Sequence, residues 1–311
     1  MANSTLLSLF QTTLQGMGVA TYGNPATVIG NTNQDVTQTL ALVNTAGGEL
    51  GREFQWQQMS VQYIFSAVFY TYTGDTTNNS TSVTNMSSVT GLTTNPNYFQ
   101  VTGNGIPQDC FITAASGTTV TLAQAATSTN TTTSLTFSQV LFPLPSDFDR
   151  MIDSTHWDKS KHWQMLGPET AQQREWLRSG YISTGPRIRY WQMGGYVQIW
   201  PPLGATESLA YEYVSKWWIL ATSPTTQAPT KELFTVDTDT CIFPDPLMRA
   251  LIRLKYLEAK GLDTTAAYRD FTRQLDIAKA ADSGSPNLSM APKAATALLG
   301  WGNIPDSGYG T

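Results

Sequence analysis

Two histidines, a run of aspartates around one arginine, and two arginines set among aromatic rings are the side chains of this sequence with chemistry to weigh first. His156 and His162 are the only histidines. A zinc site needs three or four ligands converging on one ion. The i, i+6 spacing is not a helical ligand spacing and no cysteine lies nearby, so packing at a sheet edge or an interface is expected and no metal is. Asp147, Asp149 and Asp153 gather near Arg150. Two such carboxylates across a cleft would form the acid and base of a glycosidase. Here they follow Pro143 and Pro145 in a turn, where Asp is favoured because its carboxylate bonds nearby backbone. Arg187, Arg189 and Trp191 alternate with Ile188, Tyr190 and Gln192, the ingredients of a stacking surface for single-stranded nucleic acid. Two cations in a chain of net charge −5 attract phosphates weakly. No GxSxG, P-loop or HExxH pattern occurs. Gly103-Asn104-Gly105 is a turn rather than a phosphate cradle, since no helix follows. The sequence reads as a protein without catalytic function and without a cofactor.

The composition supports a folded chain with a sparsely charged surface. The 311 residues allow one large domain or two smaller ones, and a hydrophobic fraction of 41% is enough for a core. Charged residues are 13%, against a usual ~25%; Thr, Ser, Asn and Gln make up the polar surface. Arg52 is the only basic residue before Arg150, so the first half is acidic and nearly without cations. Cys110 and Cys241 are too few for a disulfide framework and read as small buried hydrophobes. The N-terminus lacks the basic region and apolar core of a signal peptide. No apolar run approaches the ~20 residues of a membrane span. A soluble protein made in a cytosol is expected.

The elements that must hold these residues follow from periodicity. Leu6, Leu9, Phe10, Leu14 and Met17 recur at helical spacing and stop at Gly16 and Gly18. A second helix starts near Asn33, with Val36, Leu40, Val43, Gly47, Leu50 and Phe54 on one stripe. Its Gly47-Gly48 pair suits a face that another helix crosses closely. Strands begin after Trp56. From 73 to 138 Thr, Ser and Asn dominate, and five short alternating runs are separated by Gly-containing turns, the pattern of a small all-β module. The original character resumes at Leu141. A short helix spans Ala171 to Ser179. Three successive strands then run from Pro186 to Trp218, with Gly194-Gly195 as a hairpin turn and Pro201-Pro202 as a stop. Asp245-Pro246 opens an amphipathic helix that ends at Gly261, with Arg249, Arg253, Lys255 and Lys260 on its wet side. A last helix carries Tyr268, Phe271, Leu275 and Ala278. After Asp282 comes a Gly/Pro/Ser-punctuated tail with isolated apolar anchors.

The expected fold class is therefore α+β. Both chain ends build a helical domain, with 1–72 adding the first platform strands and 223–282 packing back on the N-terminal helices. An antiparallel platform occupies 139–222, an inserted immunoglobulin-like or small sandwich module 73–138, and an extended docking tail 283–311.

The order of parts resembles the head-to-tail adaptor (tail tubular protein A-like) family of short-tailed bacteriophages. The resemblance rests on Glu49, Glu53, Phe54, Gln55 and Trp56 closing the second helix, on the Phe142–Phe148 segment FPLPSDF, on Gln173 and Trp176 in the short helix, on the PRIRYW and VQIWPP hairpin, on YEYVSKWW and on the two C-terminal helices. It covers 1–72 and 140–311; the 73–138 insert departs from it. It implies a virion protein of the phage neck that forms a ring, of twelve subunits in the family, between the portal protein and a tail nozzle (tubular protein B-like) or tail-fibre protein. Genomic DNA would pass through without specific binding, and no membrane is involved. Under that reading the tail residues Leu288, Met290, Leu298, Leu299, Trp301, Ile304 and Tyr309 dock on the portal, and Arg187, Trp191, Trp200, Tyr211, Tyr213 and Trp217 brace the platform and its subunit contacts. The alternative is a virion protein that binds a receptor or glycan through 73–138.

Overall fold

The computed structural model describes residues 3–18, 25–179, 187–221 and 229–282. The tail anchors from Leu288 to Tyr309 lie outside them. The described residues form five helices: α1 (Leu6–Gly16), α2 (Gln34–Glu53), α3 (Ala171–Arg178), α4 (Asp245–Lys260) and α5 (Thr265–Asp282). Their strands are β1 (Ser60–Ala67), β2 (Phe69–Thr76), β3 (Ser82–Val83), β4 (Phe99–Gly103), β5 (Cys110–Ser116), β6 (Thr119–Leu122), β7 (Asn130–Gln139), β8 (Leu141–Pro143), β9 (Phe148–Met151), β10 (Trp157–Asp158), β11 (Trp163–Gln164), β12 (Arg189–Met193), β13 (Tyr196–Trp200), β14 (Glu207–Ser215), β15 (Ile219–Leu220) and β16 (Thr240–Cys241). The strands assemble into several antiparallel sheets, so the class is α+β.

Local chemistry sets the helix ends. The Thr5 hydroxyl accepts from the Ser8 N–H to start α1, and Asn33 Oδ1 accepts from the Asp35 N–H to start α2. Thr170 and Gln173 form a reciprocal capping box on α3. Gly261, at φ 65°, ends α4 in the left-handed region that costs glycine nothing. On α5 the Asp263 carboxylate accepts from the Thr265 N–H at 2.9 Å.

The described residues divide into two compact units. The first takes 3–61, 147–150 and 213–282. In it α4 lies against both α1 and α2, and α5 lies against α4. The start of the chain is fastened to its far end: the Leu6 N–H donates to the Asp239 carbonyl at 2.8 Å and the Ser4 N–H to Asp245 Oδ1 at 2.9 Å. Trp218 is fully buried between the rings of Phe234 and Phe243, at 5.1 and 5.6 Å. The indole also explains Gly47. A Cβ there would fall 2.3 Å from the Trp218 ring, so the close approach is made by a side chain and not by a crossing helix, and Gly48 faces open space. On α5 the buried positions are Ala267, Leu275 and Ala278, which removes Tyr268 from the expected core stripe and leaves it exposed.

The second unit takes 62–146 and 151–212. Two corrections to the sequence reading arise in it. The hairpin β12–β13 is not extended by β14. It is extended by β8, with Phe142 opposite Val197 and Pro143 at the edge, where a missing N–H costs no ladder bond. Strand β14 joins a different sheet, ordered β1-β14-β10-β11 with β9 also on β14. Two prolines after Trp200 remove the donors a continuing meander would need, which frees β14 to pair elsewhere. The second correction concerns the inserted module. It reaches from Phe69 to Gln139, because β2 pairs along β7 from Phe69–Ser138 onward. Its six strands run in the order β2-β7-β4-β5-β6-β3. The last returns to the first through an Asp75–Thr84 bridge with hydrogen bonds of 2.8 and 3.0 Å. A sheet closed on itself has no free edge and needs no second sheet. Val101, Cys110, Ile112, Val120, Leu135 and Phe137 fill its interior with no exposure. The module is a small closed barrel, not a two-sheet sandwich.

Candidate functional site

The aspartates near Arg150 do not form an acid pair. Asp147 is buried, and both its oxygens accept from the Tyr213 hydroxyl at 2.9 Å. Asp149 is held by Arg52 at 3.0 Å and by Arg150 at 3.1 Å. Asp153 is exposed. A recess of about 310 Å³ in the helical unit does bring charges together: Glu49 and Arg52 of α2, Asp149, Lys216 and Glu232 line it, with Asn44. Its cations are already opposed, Arg52 by Asp149 and Lys216 by Glu232 at 3.7 Å. Glu53, the other acid of the α2 end, pairs with Lys279 at 2.8 Å.

In the second unit His156 is a core residue. Its ring stacks on Tyr190 at 3.7 Å and on Tyr211 at 5.2 Å, and neither nitrogen has a hydrogen-bond partner. Burial lowers its pKa to about 4, which keeps the imidazole neutral. Burial likewise pushes the Tyr190 hydroxyl up to about 12, helped by the charge of Asp153. The expected edge or interface position does not hold for His156, which is buried, as is Asp158, while Trp157 between them is exposed. Asp158 accepts from the Ser160 and Lys161 N–H groups, at 2.9 and 3.1 Å, and Lys161 also reaches Glu207. Burial raises the Glu207 carboxyl, Lys161 opposes that, and Asp158 adds to it. His162 lies on the surface at φ 59°. Among the described residues no group of three or more His, Cys, Asp or Glu is placed to hold a metal. Both cysteines are free and buried, and burial pushes Cys241 up to about 12.

The platform residues are engaged within their own chain. Trp191 and Trp200 pack with Leu177 in a small cluster, and Trp191 Nε1 donates to Gln198 Oε1 at 3.1 Å. Tyr211 and Tyr213 are buried. Trp217 is half-buried, its N–H on Ser215 Oγ at 3.1 Å. The Arg187 guanidinium lies 6.0 Å from the Trp163 ring centre, and Arg189 pairs with Glu169. No stacking surface for nucleic acid forms from Arg187 to Trp191, and Trp191, Trp200, Tyr211 and Tyr213 offer no open face to a neighbouring subunit.

The large apolar side chains left exposed are others: Ile64, Trp157 and Met193 in the β unit, Leu233, Val236, Leu262, Tyr268 and Ile277 in the helical unit, and Trp176 on α3. Tyr268 carried a usable signal, since Ala267 beside it continues the buried face that Leu275 and Ala278 define. Set against protein-family models and curated proteins, the chain matches none.

Proposed function

We propose that the protein is a structural virion component, a head-to-tail adaptor that assembles as a ring between a portal and a tail nozzle or fibre, with DNA passing through. In this reading it performs no catalysis and uses no cofactor. The observation that carries the proposal is α5. This helix of 18 residues buries only Ala267, Leu275 and Ala278, against α4, and exposes 62% of Tyr268 and 55% of Ile277. At about 100° per residue, the nine positions between them set Tyr268 and Ile277 on opposite flanks of the buried stripe, two separate apolar contacts that a ring subunit with a neighbour on each side would use. The order of sequence parts that resembles the adaptor family supplies the partner's identity.

The test is assembly. Mixed with portal rings and viewed by negative-stain electron microscopy, the chain is expected to add a second ring to one end. The double variant Tyr268→Asp, Ile277→Asp, with wild-type secondary structure by circular dichroism, is expected to lose that ring. A wild-type chain that never decorates portals defeats the adaptor reading; a variant that decorates them normally defeats only the choice of these two contacts. The receptor or glycan reading draws less support. Sugar stacking uses exposed rings, and none of the large hydrophobic side chains of the 69–139 barrel is exposed.

A further inference from the structure

A second recess of the helical unit, about 280 Å³, opens between α1, α4 and α5. Arg249 and Arg253 of α4 and Arg273 of α5 line it, with Asp270 beside them. Each guanidinium presents five N–H donors in a planar fork. None of the three donates a hydrogen bond to a described residue. Arg249 and Arg253 have only loose ion pairs, with Asp245 at 3.7 Å and with Asp270 at 3.8 Å, and Arg273 has no carboxylate partner among the described residues. Arg249 Nε is shut away from solvent with no partner. Elsewhere in the chain Arg52, Arg150 and Arg178 close on carboxylates at 3.0, 3.1 and 2.5 Å.

A solvated helix face is the plain explanation for surface arginines. It does not account for their convergence. Arg249 and Arg253 sit one turn apart, where like charges repel, and Arg273 enters the same recess from another helix. An anion between the forks would remove that repulsion and fill the donors at once.

We propose that this recess binds a carboxylate-bearing segment of a protein partner, a short peptide rich in Asp or Glu. The wall is part apolar, with Met17, Pro246, Ala250 and Ala267, and suits the carbon stem of a glutamate more than a bare phosphate. The wider field is too weak for nucleic acid: 245–282 holds seven Lys and Arg against six Asp and Glu, whereas polyanion binding draws on many phosphate contacts. The inference rests on these residues and not on the adaptor reading.

The experiment is fluorescence anisotropy of a labelled hexaglutamate peptide titrated with the full chain at low salt. Saturable binding is expected. Arg273→Ala should weaken it about tenfold, and Arg273→Lys, which keeps charge but not the fork, should fall between. Asp270→Asn should strengthen it by removing the competing carboxylate, an effect that a merely structural role would not produce. Arg273 is exposed, and thermal melts of each variant confirm folding. No saturable binding, or undiminished binding by Arg273→Ala, overturns the proposal. Tighter binding of inorganic phosphate or of a single-stranded oligonucleotide at the same arginines overturns the peptide as occupant.

Discussion

Asp239 in the helical unit and His156 in the β unit are each about 1% exposed, and they are accommodated in opposite ways. Asp239 keeps its charge. It accepts from Lys231 Nζ at 2.8 Å, from the Thr235 and Val236 N–H groups at 3.0 Å, and from the Thr235 hydroxyl. Burial would raise its pKa, but these donors together bring it below the ordinary 3.8. His156 gives its charge up, lying against two tyrosine rings with no donor or acceptor. A carboxylate cannot be neutralised cheaply near neutral pH, so the fold must build donors around it. An imidazole can, so the fold needs only flat apolar surface.

The comparison breaks most sharply at Asp239. Asp239→Ala leaves Lys231 and two backbone N–H groups without their acceptor and should destabilise the chain by about 4 kcal/mol, read by urea unfolding. A loss below 1 kcal/mol would mean the loop holds itself without the carboxylate.

Acid is the next lever. The His156 pKa is 6.5 in the unfolded chain and about 4 folded, so the folded state binds fewer protons between those values. Its stability contribution is complete above pH 6.5 and is lost as pH falls toward 4, up to about 3 kcal/mol. Asp239 behaves differently: its contribution stands above 3.8 and disappears only below that, as pH falls through its lowered folded value. Glu207, raised by burial, acts with the reverse sign and favours the folded state in acid. His156→Phe keeps the stacking and removes the proton site, so the stability difference between pH 7.5 and pH 4.5 should shrink in unfolding titrations. If the variant loses stability in acid as steeply as the wild type, another group carries the effect.

The mildest probe is Thr235→Val. It deletes one of several donors to Asp239 and should cost about 1 kcal/mol in the same urea assay. A cost matching that of Asp239→Ala would show that the hydroxyl, and not the ammonium, anchors the carboxylate.

What sequence conveyed well was local. The Asn33 cap, the Gly261 stop and the alternating runs around Val101, Ile112, Val120 and Leu135 are written in neighbouring residues, and their elements formed where the pattern placed them. Partner choice was not local. Nothing near Thr84 announces that it will meet Asp75 and close a barrel, and nothing in the alternation of β14 says it will leave the hairpin. Gly47 announced a close approach without naming the indole 171 positions later in the chain. The burial of His156 was not legible in its neighbours, because an imidazole buries as readily as an aliphatic side chain once Tyr190 and Tyr211 are packed against it. The arginine-lined recess was visible only as a wet helix face, since α4 and α5 had to be packed before their charges met.

The barrel's doorway has a further consequence. Its first and last strands leave side by side, Phe69 opposite Ser138, a gap of about 5 Å across one ladder rung. Beyond that opening the host holds the barrel at few points, through Arg178 on Asp109 at 2.5 Å and the Ser138 hydroxyl on the Leu203 carbonyl at 2.7 Å. The position behaves as a socket with a few latches: an engineer wishing to display a foreign domain would cut between Ala67 and Val140 and give Arg178 and the Leu203 carbonyl new partners.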